Sequence, residues 1–249
     1  MLILMTSRCS MGCSHCMSDC KPEGEDMSFS VFQDAILFSL ERAYPLPIML
    51  SGGEPTEHPD FLRFVDYAIE QVQKKGGTLM VMSNGDWLSR NTSFLKDISK
   101  RRLPWFFIQV VIDDRYYPKH VNTNVLRNYD CVRLCQDVQH IYPQGRALAN
   151  KLPYDAKASK CFNARAVVKQ LDFVSYQDLV LRYSLPYQKY CSPNIDMHGN
   201  IRVGESLLCP VCSSIYKSDR EIIDDIRNFI CHGCDFLNDK LGEKYKQFL

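Results

Sequence analysis

The chain predicts an α/β protein built on a parallel sheet, followed by a small cysteine-rich unit. The first observation is alternation. Short apolar runs and amphipathic helical patterns follow one another through the first hundred or so residues, in the order strand, helix, strand, helix, strand, helix, strand. That order implies parallel strands joined by right-handed crossovers. The second is a change of character from about Pro186, after which five cysteines fall within forty-four residues, among Pro, Gly and short strands. This sets a boundary near residue 185, giving units 1–185 and 186–249. The third is size: 249 residues, 45% of them hydrophobic and 24% charged, suffice for one substantial core.

Leu2 to Met5 is the first strand. A helix follows from about Ser28 to Ala43, its apolar side supplied by Phe29, Phe32, Ile36, Phe38 and Leu40. Ile48 to Leu50 forms a short strand closed by Gly52 and Gly53. Pro59 suits a first helical turn, and Phe61, Leu62, Val65, Ala68, Ile69 and Val72 recur at helical spacing before Gly76-Gly77. Leu79 to Met82 is a strand stopped by Asn84-Gly85, a weaker helix covers about Ser93 to Lys100, and Phe106 to Ile112 is an apolar strand ending at Asp113-Asp114. The pattern then weakens. Tyr116 to Arg127 carries no clear signal, strands are expected near Val138 to Tyr142 and Ala166 to Val168, and Cys131 and Cys135 are spaced for one face of a helix.

Composition excludes several classes of function. Thirty basic against twenty-nine acidic residues leave a net charge of +1 without a long basic run, which argues against nucleic acid as a partner. Met1 to Met5 is too short for a signal-peptide core, and no run approaches the roughly twenty apolar residues of a membrane span. A cytoplasmic protein is therefore expected, with no membrane partner. Twelve cysteines in a reducing compartment point to metal binding or catalysis rather than disulfides.

Cys9-x3-Cys13-x2-Cys16 lies in the loop after the first strand. Three thiolates so close can bind three irons of a [4Fe–4S] cube and leave the fourth open to a chelating ligand. A zinc knuckle or buried cysteines would account for the same spacing, and Cys20 offers a fourth ligand that would close the cube. Taken alone, Asn84-Gly85 is a turn and Asp113 a solvated loop acid.

These residues together resemble the radical S-adenosylmethionine superfamily. The three cysteines after a first strand are its hallmark, and Ser51-Gly52-Gly53-Glu54-Pro55 is similar to its GGE motif. The resemblance implies a partial (β/α)6 TIM-like barrel. It implies that Cys9, Cys13 and Cys16 hold a [4Fe–4S] radical cluster, that His15 lies beside the adenine, and that Gly52, Gly53 and Glu54 receive the methionine ammonium. It also implies that Asn84 contacts the cofactor and Asp113 its ribose. The glycines are expected there because backbone must approach the ligand closely. S-adenosylmethionine would be reductively cleaved to a 5′-deoxyadenosyl radical that takes hydrogen from an unactivated C–H site, with an electron donor such as flavodoxin or ferredoxin.

The C-terminal cysteines carry two readings. Cys209-x2-Cys212-x18-Cys231-x2-Cys234 has the generic spacing of a four-cysteine zinc site. Cys191-x12-Gly204-x4-Cys209, followed by Cys231 and Cys234, resembles twitch and SPASM extensions. That resemblance implies an auxiliary [4Fe–4S] cluster on Cys191, Cys209, Cys231 and Cys234, with Ile195 to Val203 as the hairpin between the first two ligands and Cys212 as a spare or substitute. Gly145-Arg146-Ala147 resembles a segment late in SPASM-type barrels, where its arginine would meet the cofactor carboxylate. Cys131, Cys135 and Cys161 read as small buried hydrophobes, with Cys161 and Cys20 the alternatives for a hydrogen-atom donor.

The function implied is radical modification, with net oxidation, of a ribosomally made peptide or protein, assisted by a separate peptide-recognition protein. The alternatives are oxidation of a small molecule such as a sugar or aminocyclitol alcohol, and a zinc-stapled binding protein without catalysis. No catalytic residue beyond the cofactor site is identified by the sequence.

Overall fold

The first strand, β1 (Leu2–Thr6), is buried at every position and lies inside a mixed sheet rather than at its edge. The computed structural model describes residues 1–135, 141–142, 144–153, 173–183 and 193–229. Among these, β1 is followed by β2 (Ile48–Gly52), β3 (Leu79–Ser83), β4 (Phe106–Val111) and β5 (Val132–Cys135), each parallel to its neighbour. On its other side β1 pairs in parallel with β6 (Asn194–Ile195), which continues antiparallel into β7 (Asn200–Arg202) and β8 (Val211–Ser214). The order β5-β4-β3-β2-β1-β6-β7-β8 is an open α/β sheet, as the alternation predicts. The hairpin expected between Ile195 and Val203 is the β6–β7 turn.

Local signals explain the helices. Helix α1 (Phe29–Arg42) begins where the Ser28 side chain accepts a hydrogen bond from the Val31 amide. Helix α2 (Phe61–Lys75) ends at Gly76, with φ at 82°. The two meet through Phe32 and Phe64, whose rings stack 4.2 Å apart and are both fully buried. Burying each such ring contributes roughly 1.5–3 kcal/mol. A short helix α3 (Asp86–Arg90), not expected from the sequence, precedes α4 (Thr92–Arg101), and α5 (Thr123–Leu126) occupies part of the stretch that carried no clear pattern.

Cys131 and Cys135 are not on a helix. Val132 to Cys135 is a strand, hydrogen-bonded in register to Ile108–Val111. Spacing of four mimics a helical face, but a four-residue strand is too short to display an alternation that would argue otherwise. Ile141 and Tyr142 are not in a strand; the rest of the strand expected there, and that at Ala166 to Val168, lies outside the described residues. No described helix is long and apolar enough to cross a membrane.

Because β1 to β4 and β6 run parallel, their carboxyl ends lie along one edge of the sheet. The cysteine loop, Glu54, Asn84, Asp113 and Asp196 all follow directly from those ends. Ligands of parallel α/β sheets gather there.

Candidate functional site

The cysteine loop starts and ends on β1. Its stem is closed by hydrogen bonds from Ser7 N to Glu25 O (2.9 Å), Cys9 N to Lys21 O (2.9 Å) and Met27 N to Met5 O (2.8 Å). Asp26 ties the stem further, accepting from the Thr6 hydroxyl at 2.6 Å and pairing with Arg8 at 2.7 Å. Cys9, Cys13 and Cys20 are buried, Cys16 is half-buried, and all four carry free thiols.

Burial pushes the Cys9 thiol up to about 11 and that of Cys13 up to about 12. Cys16 moves the other way, because the Cys20 side chain hydrogen-bonds to it, and Cys20 rises correspondingly. Among the described residues no three His, Cys, Asp or Glu side chains converge on a single metal ion. A cube places each thiolate on a different iron, so its ligands stand farther apart than those of one tetrahedral ion. Two buried thiols, Cys9 and Cys13, and the half-buried Cys16 on a tied loop are a donor set suited to such a cluster.

The GGE segment packs against the root of this loop. Gly53 N donates to Thr6 O and Glu54 N to Arg8 O, each at 2.7 Å. A Cβ on Gly53 would lie 2.1 Å from Arg8 O, and one on Gly52, where φ is 143°, would lie 2.2 Å from Thr6 O. These glycines are thus required by the approach of β1, a reason the sequence does not display.

Glu54 is buried and joins two strand ends. Its Oε1 accepts from the hydroxyls of Thr56 (2.7 Å) and Ser83 (2.8 Å), and its Oε2 from Asn84 N (2.7 Å). Burial raises its carboxyl above the usual range against these donors. Asn84 turns its Oδ1 to the Asp86 amide at 2.9 Å. Asp113 is buried and held by the Arg115 guanidinium at 2.5 and 2.8 Å.

His15 lies against two aromatic rings that the sequence did not single out. It stacks on Tyr117 at 5.9 Å, with 13° between the planes, and is tilted against Tyr116 at 5.1 Å. Its Nδ1 is buried without a hydrogen-bond partner, and burial lowers its pKa. Such an atom leaves a polar demand unmet within the protein and fits a site that receives a polar ligand. Ser14 N donates to Tyr116 O at 3.0 Å, which fixes His15 against this pair.

Two further groups hold the loop. Glu57 accepts from Ser10 N at 2.8 and 3.0 Å and from its hydroxyl at 2.8 Å. Arg146, in α6 (Gly145–Ala149), donates to Cys13 O and Cys20 O and so faces the cysteine loop itself. Both contacts join residues remote in sequence, and the loop amide and carbonyls they use leave no mark in residue type.

Of the C-terminal cysteines, Cys209 is buried with its sulfur 3.9 and 4.0 Å from the side-chain atoms of Gln144. Cys212, in β8, donates to Ile201 O at 3.2 Å. Cys161, Cys191, Cys231 and Cys234 lie outside the described residues. The loop before Cys209 touches the N-terminal cysteine loop: Ser206 Oγ donates to Met17 O and Leu207 N to Ser18 Oγ, both at 3.0 Å.

No protein-family model matches the chain. Over 65 residues, 26% of its length, it is 40% identical to the mycofactocin maturase MftC of Mycobacterium ulcerans (strain Agy99) and 38% identical to that of Mycobacterium tuberculosis. The chain thereby spans only 17% and 16% of those proteins. Among solved structures, BtrN in complex with AdoMet and 2-DOIA matches 99% of this chain and 87% of its own, with a TM-score of 0.57 and 13% identity. Native anSMEcpe with bound AdoMet and Cp18Cys peptide matches 92% of this chain and 81% of its own, with a TM-score of 0.52 and 13% identity. The chain is thus similar in fold to BtrN and to anSMEcpe, and in sequence, over 65 residues, to mycofactocin maturases.

Proposed function

We propose that this chain is a radical S-adenosylmethionine enzyme that modifies, with net oxidation, an unactivated C–H site on a ribosomally made peptide or protein. The observation that carries the reading is the largely buried three-cysteine loop, with His15 within it, held at the carboxyl edge of the parallel strands that also present Glu54, Asn84 and Asp113. Cys9, Cys13 and Cys16 would hold a [4Fe–4S] cluster, and S-adenosylmethionine bound to it supplies the hydrogen-abstracting radical chemistry.

This chain's own residues bind, orient and shield. Gly52 and Gly53 bring the turn after β2 against the loop root, so Glu54 sits at a fixed depth. The Glu54 carboxylate, already fed by Ser83, Asn84 and Thr56, sets the ends of β2 and β3 and is the group suited to an ammonium. His15, on Tyr116 and Tyr117, offers an aromatic face and an unmet nitrogen to a purine. Asp113, oriented by Arg115, is suited to sugar hydroxyls.

The C-terminal cysteines Cys191, Cys209, Cys231 and Cys234 are read as ligands of an auxiliary [4Fe–4S] cluster in a unit spanning 186–249, after a barrel unit of 1–185. Support comes from Cys209, buried and turned to Gln144, whereas Cys212 is engaged by the hairpin backbone. Four ligands leave no open iron, which suits electron acceptance. The reading includes an external flavodoxin-like or ferredoxin-like donor, a separate peptide-recognition protein and a cytoplasmic location, in keeping with twelve cysteines.

Peptide substrates are favoured by the likeness to a maturase and to a structure with bound peptide. A small-molecule substrate is the second reading, favoured by the BtrN complex, which has the higher TM-score. The deciding experiment is anaerobic reconstitution followed by iron, sulfide and zinc analysis and measurement of 5′-deoxyadenosine. About eight irons per chain with nucleoside release is expected for two cubanes. Zinc alone, with no release, would overturn the proposal.

A further inference from the structure

We propose that Arg146 is the positioning residue of the cysteine loop, holding the peptide carbonyls of Cys13, Cys16 and Cys20 so that the ligand thiolates of Cys13 and Cys16 are set before iron arrives. This inference rests on the cluster assignment above, and extends it to a residue distant in sequence.

Helix α6 begins flush against the loop. Gly145 has φ at 52°, and a Cβ there would lie 2.6 Å from Cys16 O and 2.8 Å from Met17 O. The Arg146 amide donates to Cys16 O at 2.9 Å. Its side chain then reaches past Cys16: Nε donates to Cys13 O at 2.9 Å, and Nη1 to Cys20 O at 2.8 Å and to Asp19 Oδ1 at 3.0 Å. One turn on, Asn150 Nδ2 donates to Ser14 O at 2.9 Å. Nη2 of Arg146 is buried without a partner.

A carbonyl held by a donor limits the orientation of its planar peptide, and so restrains the Cα from which the cysteine side chain leaves. The Arg146 side chain does this at Cys13 and Cys20 through a planar fork that one ammonium cannot reproduce, while its backbone amide holds Cys16 O. Its permanent positive charge also opposes the charge that accumulates when neighbouring thiols ionise. Groups that orient metal ligands without touching the metal commonly matter to retention as much as the ligands.

The test compares full-length parent, Arg146→Gln, Arg146→Lys and a Cys9→Ala/Cys13→Ala/Cys16→Ala triple variant after the same anaerobic reconstitution. Iron and sulfide are measured, with circular dichroism and the EPR spectrum of the reduced protein with and without S-adenosylmethionine. Iron lost in the triple variant defines the loop's own share. R146Q should hold that share about 10–100-fold more weakly while keeping the parental fold, and R146K should recover only part of it. Parental iron and EPR spectra in R146Q, or full recovery in R146K, would overturn the inference. So would retained iron with loss only of the cofactor-induced spectral change, which assigns Arg146 to the cofactor instead. Loss of secondary structure in R146Q would overturn it too, in favour of a fold-wide role. A parent holding no more iron than the triple variant would instead refute the cluster assignment itself.

Discussion

Replacing Gly53 by alanine separates two roles that the GGE segment can have. If the glycines serve only to admit a cofactor, Gly53→Ala leaves stability untouched and weakens cofactor response. The packing predicts otherwise. The new Cβ would lie 2.1 Å from Arg8 O and 2.7 Å from Arg8 C, backbone atoms that no rotamer change can remove. Ordinary contact begins at 3.4 Å, so the two segments must part by more than an ångström. Two hydrogen bonds span that interface, Gly53 N to Thr6 O and Glu54 N to Arg8 O, each 2.7 Å long, and neither survives such a shift. Losing such a bond between buried backbone groups costs about 1–3 kcal/mol per bond, so a loss of roughly 2–6 kcal/mol is expected. In a chain of this size that lowers Tm by roughly 5–15 °C. Gly24→Ala should act in the same direction, because its Cβ would meet Arg8 N at 2.3 Å. The assay is urea or thermal unfolding of the iron-free chain, followed by circular dichroism, so that cofactor binding plays no part. A parental unfolding midpoint for Gly53→Ala would refute the steric argument and return the glycines to the cofactor.

Glu54→Gln tests the buried carboxyl. Since burial raises the folded-state pKa above the ordinary value of 4.5, the group's contribution to stability is present below that value and declines as pH rises through the folded pKa. The parent should therefore lose stability relative to E54Q over that rise, and a difference independent of pH would contradict the assignment. Cys20→Ala removes the side-chain hydrogen bond that lowers the Cys16 pKa. Alkylation of Cys16 in the iron-free chain at neutral pH should then slow about 10-fold or more, as its thiolate fraction falls to a few per cent; an unchanged rate would show that Cys20 does not activate it.

How much of this was legible in the sequence depends on what kind of contact carries each feature. The parallel sheet was readable because its strands and helices have different apolar periods. The placement of Cys9, Glu54, Asn84 and Asp113 after strand ends follows from the same signal. The β5 strand was misread because Cys131 and Cys135 share a spacing with helices and only four residues pair. The work of Gly53 was hidden for another reason: the atom it yields to is the Arg8 carbonyl oxygen, present whatever the side chain. Arg146 was visible as part of a motif, but its partners are also carbonyls, more than a hundred residues away. Tyr116 and Tyr117 fell in a stretch without periodicity, and only their stacking with His15 distinguishes them.

The same contacts bear on how the two cysteine-bearing regions relate. The described part of the C-terminal region does not stand apart from the parallel strands: β6 continues their sheet by pairing with β1, the strand from which the cysteine loop departs. Ser206 then bonds Met17 O, one residue beyond Cys16, and Gln144 touches Cys209 two residues before Arg146 reaches the loop. The segment 144–146 therefore contacts a cysteine of each region. The β1–β6 pairing and the Ser206 contact are two separate links between the C-terminal region and the cysteine loop. Packed, hydrogen-bonded chains of this kind transmit strain because interiors at close-packed density have little room to absorb it.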